Sequence, residues 1–150
     1  MVFAAIQKRD SQVLADCRRI AGKYEPDGWM PSSPHAINRN ILHTVYMGMK
    51  TQSSPETRKR AKDLSEAINS WHLEADIDRA FSAFQDIFED NTGFKAKFEV
   101  HGGTISSSLA LQNVQARARM LFAYQCAQLL PTVRNRPGGG NLLVLGILSK

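Results

Sequence analysis

The chain has 150 residues, 43% of them hydrophobic and 22% charged, and 19 Lys and Arg against 14 Asp and Glu give it a formal charge of +5. That is the length and composition of one ordinary globular domain, which excludes a disordered chain, a collagen, a coiled-coil rod and a disulfide scaffold.

The opening Met1 to Ile6 is apolar but too short for a signal-peptide core, and Lys8 and Arg9 follow it. Asp10 or Ser11 caps a first helix running to about Ala21, with Val13, Leu14, Cys17 and Ile20 at helical spacing and Gly22 as its stop. Residues 23–33 read as an ordered loop that tucks Trp29 and Met30 against the core. Ser33-Pro34 and Ser54-Pro55 are both cap-plus-proline starts. The first predicts a helix to about Met49 through Ile37, Ile41, Leu42 and Val45. The second predicts a helix over 55–72 carrying Ala61, Leu64, Ala67, Ile68 and Trp71. Thr51 to Ser54 separates the two. A fourth, cleanly amphipathic helix is predicted over 74–89.

The period then changes. Phe94 to Val100 alternates strictly between apolar and polar, which predicts a half-buried strand, a Gly102-Gly103 turn and a short antiparallel return over 104–107. A long helix over 109–130 ends at Pro131, and Leu142 to Leu148 reads as an apolar strand. The fold class expected is mainly α: five helices in a bundle-like domain over 1–136, a small antiparallel sheet near 94–107, and a hinge with an apolar segment over 137–150.

No glycine-rich phosphate loop and no nucleophile elbow occurs. His35, His43, His72 and His101 have no metal-ligand spacing, and Cys17 and Cys126 lie far apart inside helical patterns as small hydrophobes. Glu74, Asp76 and Asp78 fit the acidic first turn of a helix. Residues 74–90 carry a net charge of −5 and residues 91–150 a net charge of +6, with no carboxylate after Glu99. No catalytic residue, metal site or cofactor is expected, and the chain is read as not an enzyme.

The positive groups are Arg58, Lys59 and Lys62 on one helical face, Lys95 and Lys97 on one strand face, Arg117 and Arg119 on diverging faces of the long helix, and Arg134 and Arg136 beside the hinge. They are expected to grip a phosphodiester backbone, RNA for preference. The long helix is apolar on two sides, and Leu142, Leu143, Leu145 and Ile147 are expected to contact a second copy. The function this suggests is a soluble, intracellular, self-associating nucleic-acid-binding structural protein, such as a viral or phage nucleocapsid or coat subunit. The alternative is a protein-binding adaptor with no nucleic-acid role. No segment reaches the roughly 20 apolar residues that span a bilayer.

Overall fold

The computed structural model describes residues 1–23, 28–50, 52–136 and 142–146. Its elements are α1 (Val2–Gln7), α2 (Ser11–Ala21), α3 (Pro34–Ile41), β1 (His43–Gly48), α4 (Pro55–Ala67), β2 (Trp71–Asp76), α5 (Asp78–Thr92), a 3-10 turn (Glu99–His101) and α6 (Ile105–Val133).

The helix starts obey local chemistry. The side chains of Asp10, Ser33 and Ser54 accept from the backbone N–H of Val13, Ala36 and Thr57, and proline follows the two serines at the first helical position. Gly22 and Gly93 close α2 and α5 in the left-handed conformation, both at φ 67°. Among the described residues six α-helices form where five were expected.

Two of the expected helices end early and give way to strands. The helix from Pro34 stops at Ile41, and the helix from Pro55 stops at Ala67. Thr44-Val45-Tyr46 is a β-branched and aromatic run and Trp71 is an aromatic that opens β2, residue types that fit a pleated, half-buried surface. The N–H of Trp71 donates to the Leu42 carbonyl at 3.0 Å, and the N–H of Ile77 donates to the Gly48 carbonyl at 3.0 Å. Both partners advance together, so β1 and β2 pair in parallel, joined by α4 as a βαβ unit.

No strand forms at 94–107. Phe94 to Phe98 is irregular and 99–101 is a 3-10 turn. The turn closes on itself, with the N–H groups of His101 and Gly103 both donating to the Phe98 carbonyl, so the backbone groups a partner strand needs are spent locally. The C-terminal strand is also absent over 142–146. Pro131 lies inside α6 and has no N–H for the Ala127 carbonyl. The N–H of Leu142 donates to that carbonyl at 2.9 Å instead. Ile147 and Leu148, the glycines of the expected hinge, and Pro26, Asp27 and Thr51 lie outside the described residues.

The described residues fall into two compact units. The first takes residues 1–46, 54–74 and 131–139. Its core gathers Ile6, Cys17 and Ile37, with Phe3, Val13, Leu14, Trp29 and Ile41 packed around them, while Met30 is exposed. The second takes residues 47–53, 75–130 and 140–150. Met49, Ile77 and Leu111 are its most deeply buried large side chains, each contributing about 1.5–3 kcal/mol. On α6, Ser108, Leu111, Gln115 and Ala118 are buried along one side and Ala127, Leu130 and Pro131 on another side nearer its end, while Leu121 and Leu129 are exposed. Burial pushes the thiols of Cys17 and Cys126 upward, and both are free. Among the described residues no helix is long and apolar enough to cross a membrane, and no group of histidines, cysteines and carboxylates fits a metal ion.

Candidate functional site

The parallel strands end together at Gly48 and Asp76, within the second unit. Beyond β1 the chain turns sharply into α4. The N–H of Met49 donates to Ser53 Oγ at 2.9 Å, and the N–H of Ser53 returns to the Met49 carbonyl at 2.8 Å. Beyond β2, Asp76 and Asp78 face this loop. The N–H of Lys50 donates to Asp78 Oδ2 at 2.8 Å, and Lys50 Nζ lies 3.5 Å from Asp76 Oδ2. The N–H of Asp78 donates to Asp76 Oδ1 at 3.0 Å. Hydrogen bonds with Asp78, then Lys50, hold the Asp76 carboxyl below its ordinary range.

Helix α6 brings two polar side chains to the same strand end. Gln115, 7% exposed, donates through Nε2 to Gln52 Oε1 at 3.0 Å. Arg119, one turn later, donates through Nε to the Met47 carbonyl at 3.1 Å. Its two Nη groups make no hydrogen bond among the described residues, so a guanidinium fixed at one edge presents its fork to an incoming carboxylate or phosphate.

The first unit holds a second cluster, around the C-terminus of α3. All four of the helix's last carbonyls are satisfied. Asn38 accepts from the Leu42 N–H. Arg39 accepts from Arg134 Nη2 at 3.0 Å. Asn40 accepts from Arg134 Nη1 at 3.2 Å and from Arg136 Nη2. Ile41 accepts from His43 Nδ1 at 3.1 Å. A carbonyl only accepts, so the His43 proton sits on Nδ1 and its bare Nε2 takes a hydrogen bond from Arg134 Nη1 at 3.1 Å. Burial, then Arg134 and Arg136, lower the His43 pKa to about 4. The unfolded value is 6.5, so the unfolded chain binds the extra proton between these values. Stability is therefore full above pH 6.5 and falls by about 1–2 kcal/mol, after discounting for solvent screening, as pH drops to 4. Urea titrations at several pH values measure this, and a flat profile in that window would contradict it.

The structure disperses the nine expected nucleic-acid contacts. Arg58 pairs with Glu74 at 3.1 Å and lies over the Tyr46 ring, Lys59 pairs with Asp63 at 2.7 Å, and Lys95 pairs with Glu89 at 2.9 Å. Arg117 donates to the Asn113 carbonyl of its own helix. Arg119, Arg134 and Arg136 turn onto backbone carbonyls, as above, and Arg136 also donates to the Ile20 carbonyl. Only the side chains of Lys62 and Lys97 make no ion pair or hydrogen bond among the described residues, and they belong to different units. Of the expected self-contacts, Leu143 and Leu145 are 85% and 81% exposed, while Leu142 is half-buried. Arg119 was marked by the sequence, but Gln52 and Gln115 were not. Their signal was the spacing of Gln115 and Arg119, one helical turn apart on α6.

A βαβ unit with polar side chains gathered outside the carboxyl ends of its parallel strands is the ligand-binding arrangement of α/β proteins. Residues 33–133 match the NAD synthase family, and the chain belongs to that family. It is 45% identical over 146 residues to a glutamine-dependent NAD(+) synthetase of Saccharomyces cerevisiae, 42% identical over 146 residues to one of Arabidopsis thaliana, and 41% identical over 145 residues to one of Bos taurus. Each comparison covers 97% of this chain and 19–20% of the relative, so the chain spans about a fifth of the length of the curated relatives it matches. These relatives are enzymes. That overturns the expectations of a non-enzymatic nucleic-acid-binding protein, of a viral coat or nucleocapsid subunit, of an adaptor, and of RNA as the partner. The basic residues on which those expectations rested are largely occupied within the chain.

Proposed function

We propose that this chain is part of the NAD(+)-forming portion of a glutamine-dependent NAD(+) synthetase, and that the strand ends with Arg119 and Gln115 hold an anionic, nucleotide-bearing substrate. The observation that carries the reading is the family match over residues 33–133, which spans both strands, the loop beyond β1 and α6. The chemistry agrees with it. The reactive nitrogen of glutamine is its side-chain amide, and NAD(+) carries a carboxamide; moving that nitrogen onto a dinucleotide carboxyl group turns the carboxyl into the carboxamide and leaves glutamate, which gains an oxygen for the one the carboxyl group gives up. A dinucleotide carries phosphates, and the free fork of Arg119 at a parallel strand end suits a phosphate or the carboxylate.

The test replaces the matched segment of the Saccharomyces cerevisiae relative by this chain and follows NAD(+) formation from glutamine. The chimaera is expected to form NAD(+), and Arg119→Met within it to lower kcat/KM by about a hundredfold, as loss of one oriented donor does. A folded chimaera that forms no NAD(+) would overturn the reading. An Arg119→Met chimaera with full activity would remove Arg119 from the site.

A further inference from the structure

The first unit carries a cleft of about 330 Å³ lined by the last turns of α4, by β2 and the residues leading into it, and by Arg39 of α3. Every side chain in the lining is polar or charged. Glu74 is held by Arg58 at 3.1 Å, and Arg39 Nη1 donates to the Ser70 carbonyl at 3.3 Å. Lys62 and Glu66 stand one turn apart on α4, yet neither side chain makes an ion pair or hydrogen bond among the described residues. The lysine precedes the glutamate, which is the weaker order for such a pair. The polar atoms between them are acceptors. Asn69 spends Nδ2 on the His35 carbonyl at 3.2 Å and keeps Oδ1. Ser70 Oγ donates to the Ser65 carbonyl at 3.4 Å, so Thr44 Oγ1 donates to Ser70 Oγ at 2.8 Å and takes the proton of His72 Nδ1 at 2.9 Å. That leaves His72 Nε2 a bare acceptor, buried and without a partner.

We propose that this cleft binds the zwitterion of a small polar α-amino acid, its ammonium on Glu66 and its carboxylate on Lys62. Three features select this class. The two unpaired charges of opposite sign lie one helical turn apart, the separation a compact zwitterion bridges, whereas a simple anion would meet Glu66 and a simple cation would meet Lys62. The acceptors on the wall, Asn69 Oδ1 and His72 Nε2, call for a ligand rich in N–H donors. An unmet buried acceptor is uncommon in a folded chain, and an ammonium brings three donors. The lining without an apolar side chain gives a hydrophobic ligand nothing to bury against, and no group of histidines and carboxylates among the described residues fits a metal ion. The size agrees, since pockets for small ligands span roughly 300–1,000 Å³ and this one stands at the lower end. No residue of the strand-end site takes part, so the proposal stands or falls separately from the proposed function.

The test is calorimetric titration of the whole chain with L-serine and with its two halves, ethanolamine, which lacks the carboxylate, and 3-hydroxypropionate, which lacks the ammonium. Serine is expected to bind with a Kd of about 0.1–1 mM, and each half at least about tenfold more weakly. Lys62→Met and Glu66→Gln alter side chains with no partner in the fold, and circular dichroism checks that both variants stay folded. Each is expected to weaken serine binding at least about fivefold, the loss of one charge-assisted contact. In the same titration followed by NMR, the His72 ring signals are expected to shift. The proposal is overturned if serine fails to saturate the chain at roughly ten times that range, if either half binds as tightly as serine, if either folded variant binds as the parent does, or if serine binds and leaves His72 unmoved.

Discussion

Gly103→Ala is expected to cost about 3 kcal/mol or more of stability, a large part of the roughly 5–15 kcal/mol a domain of this size possesses. A Cβ built on Gly103 would sit 1.9 Å from the Lys97 carbonyl oxygen, 2.5 Å from its carbon and 3.0 Å from the Phe98 oxygen. All three are backbone atoms, so no side-chain rotation relieves the clash. The Lys97 carbonyl is also pinned, because Ser107 Oγ donates to it at 2.8 Å, and Ser107 is tied to Thr104 at the start of α6. Gly93 provides the comparison. It lies at φ 67° with nothing within 4 Å of a built Cβ, so Gly93→Ala meets only the left-handed backbone penalty of about 1–2 kcal/mol. Urea unfolding of the two variants, with equal m values, measures the difference. Equal losses would show that the segment at 97–98 moves freely to admit a methyl group.

The Gly102-Gly103 turn was visible in the sequence, but not the reason for its second glycine. Gly102, at φ 81°, serves a backbone conformation, as expected of a turn. Gly103 serves space, and space is set by a carbonyl six residues away. The same division runs through the fold. Asp10, Ser33-Pro34, Ser54-Pro55 and Gly22 could be read because each acts on its own first or last turn. The strands could not be read from periodicity. Ile37, Ile41, Leu42, Val45 and Met49 happen to keep a helical spacing across the break after Ile41, and a short strand buried on one side by a distant partner leaves no alternation of its own. Conversely, Phe94 to Val100 alternates without a partner strand, because Phe98 lies against Phe81 of α5 instead.

The site was less legible than the fold. Counting bases without their partners made Arg58, Lys59 and Lys95 look available, whereas each has a carboxylate within 3.1 Å. Arg58 and Lys95 take partners from other elements, which composition cannot show. Arg119 was identifiable as a candidate, but its role depends on the strand end that orients it, and that strand end had been read as helix. The family itself left no short motif of the phosphate-loop kind within these residues.

Arg134→Met is expected to destabilise the first unit by about 2–3 kcal/mol, because it strips donors from a helix end and leaves an uncapped acceptor beside an indole. The Arg39 carbonyl would lose its donor outright, while the Asn40 carbonyl would keep Arg136. The guanidinium also lies 5.5 Å from the Trp71 ring centroid, an attraction that Met replaces with a weaker apolar contact. A purely structural loss would stop there, but His43 supplies a second readout. Without Arg134 its Nε2 has no donor and one of the two nearby positive charges is gone, so its pKa is expected to rise from about 4. It should stay below 6.5, because burial is the largest cause of the depression and Arg136 remains. The pH-dependent part of the stability, present above 6.5 and lost toward 4, should shrink accordingly. Histidine titration by NMR, read beside urea midpoints at both ends of that window, separates the contributions. A destabilised variant with an unmoved His43 would assign the effect of Arg134 to the α3 carbonyls alone, whereas a raised pKa with little loss of stability would make the arginine chiefly a guard on the neutral imidazole.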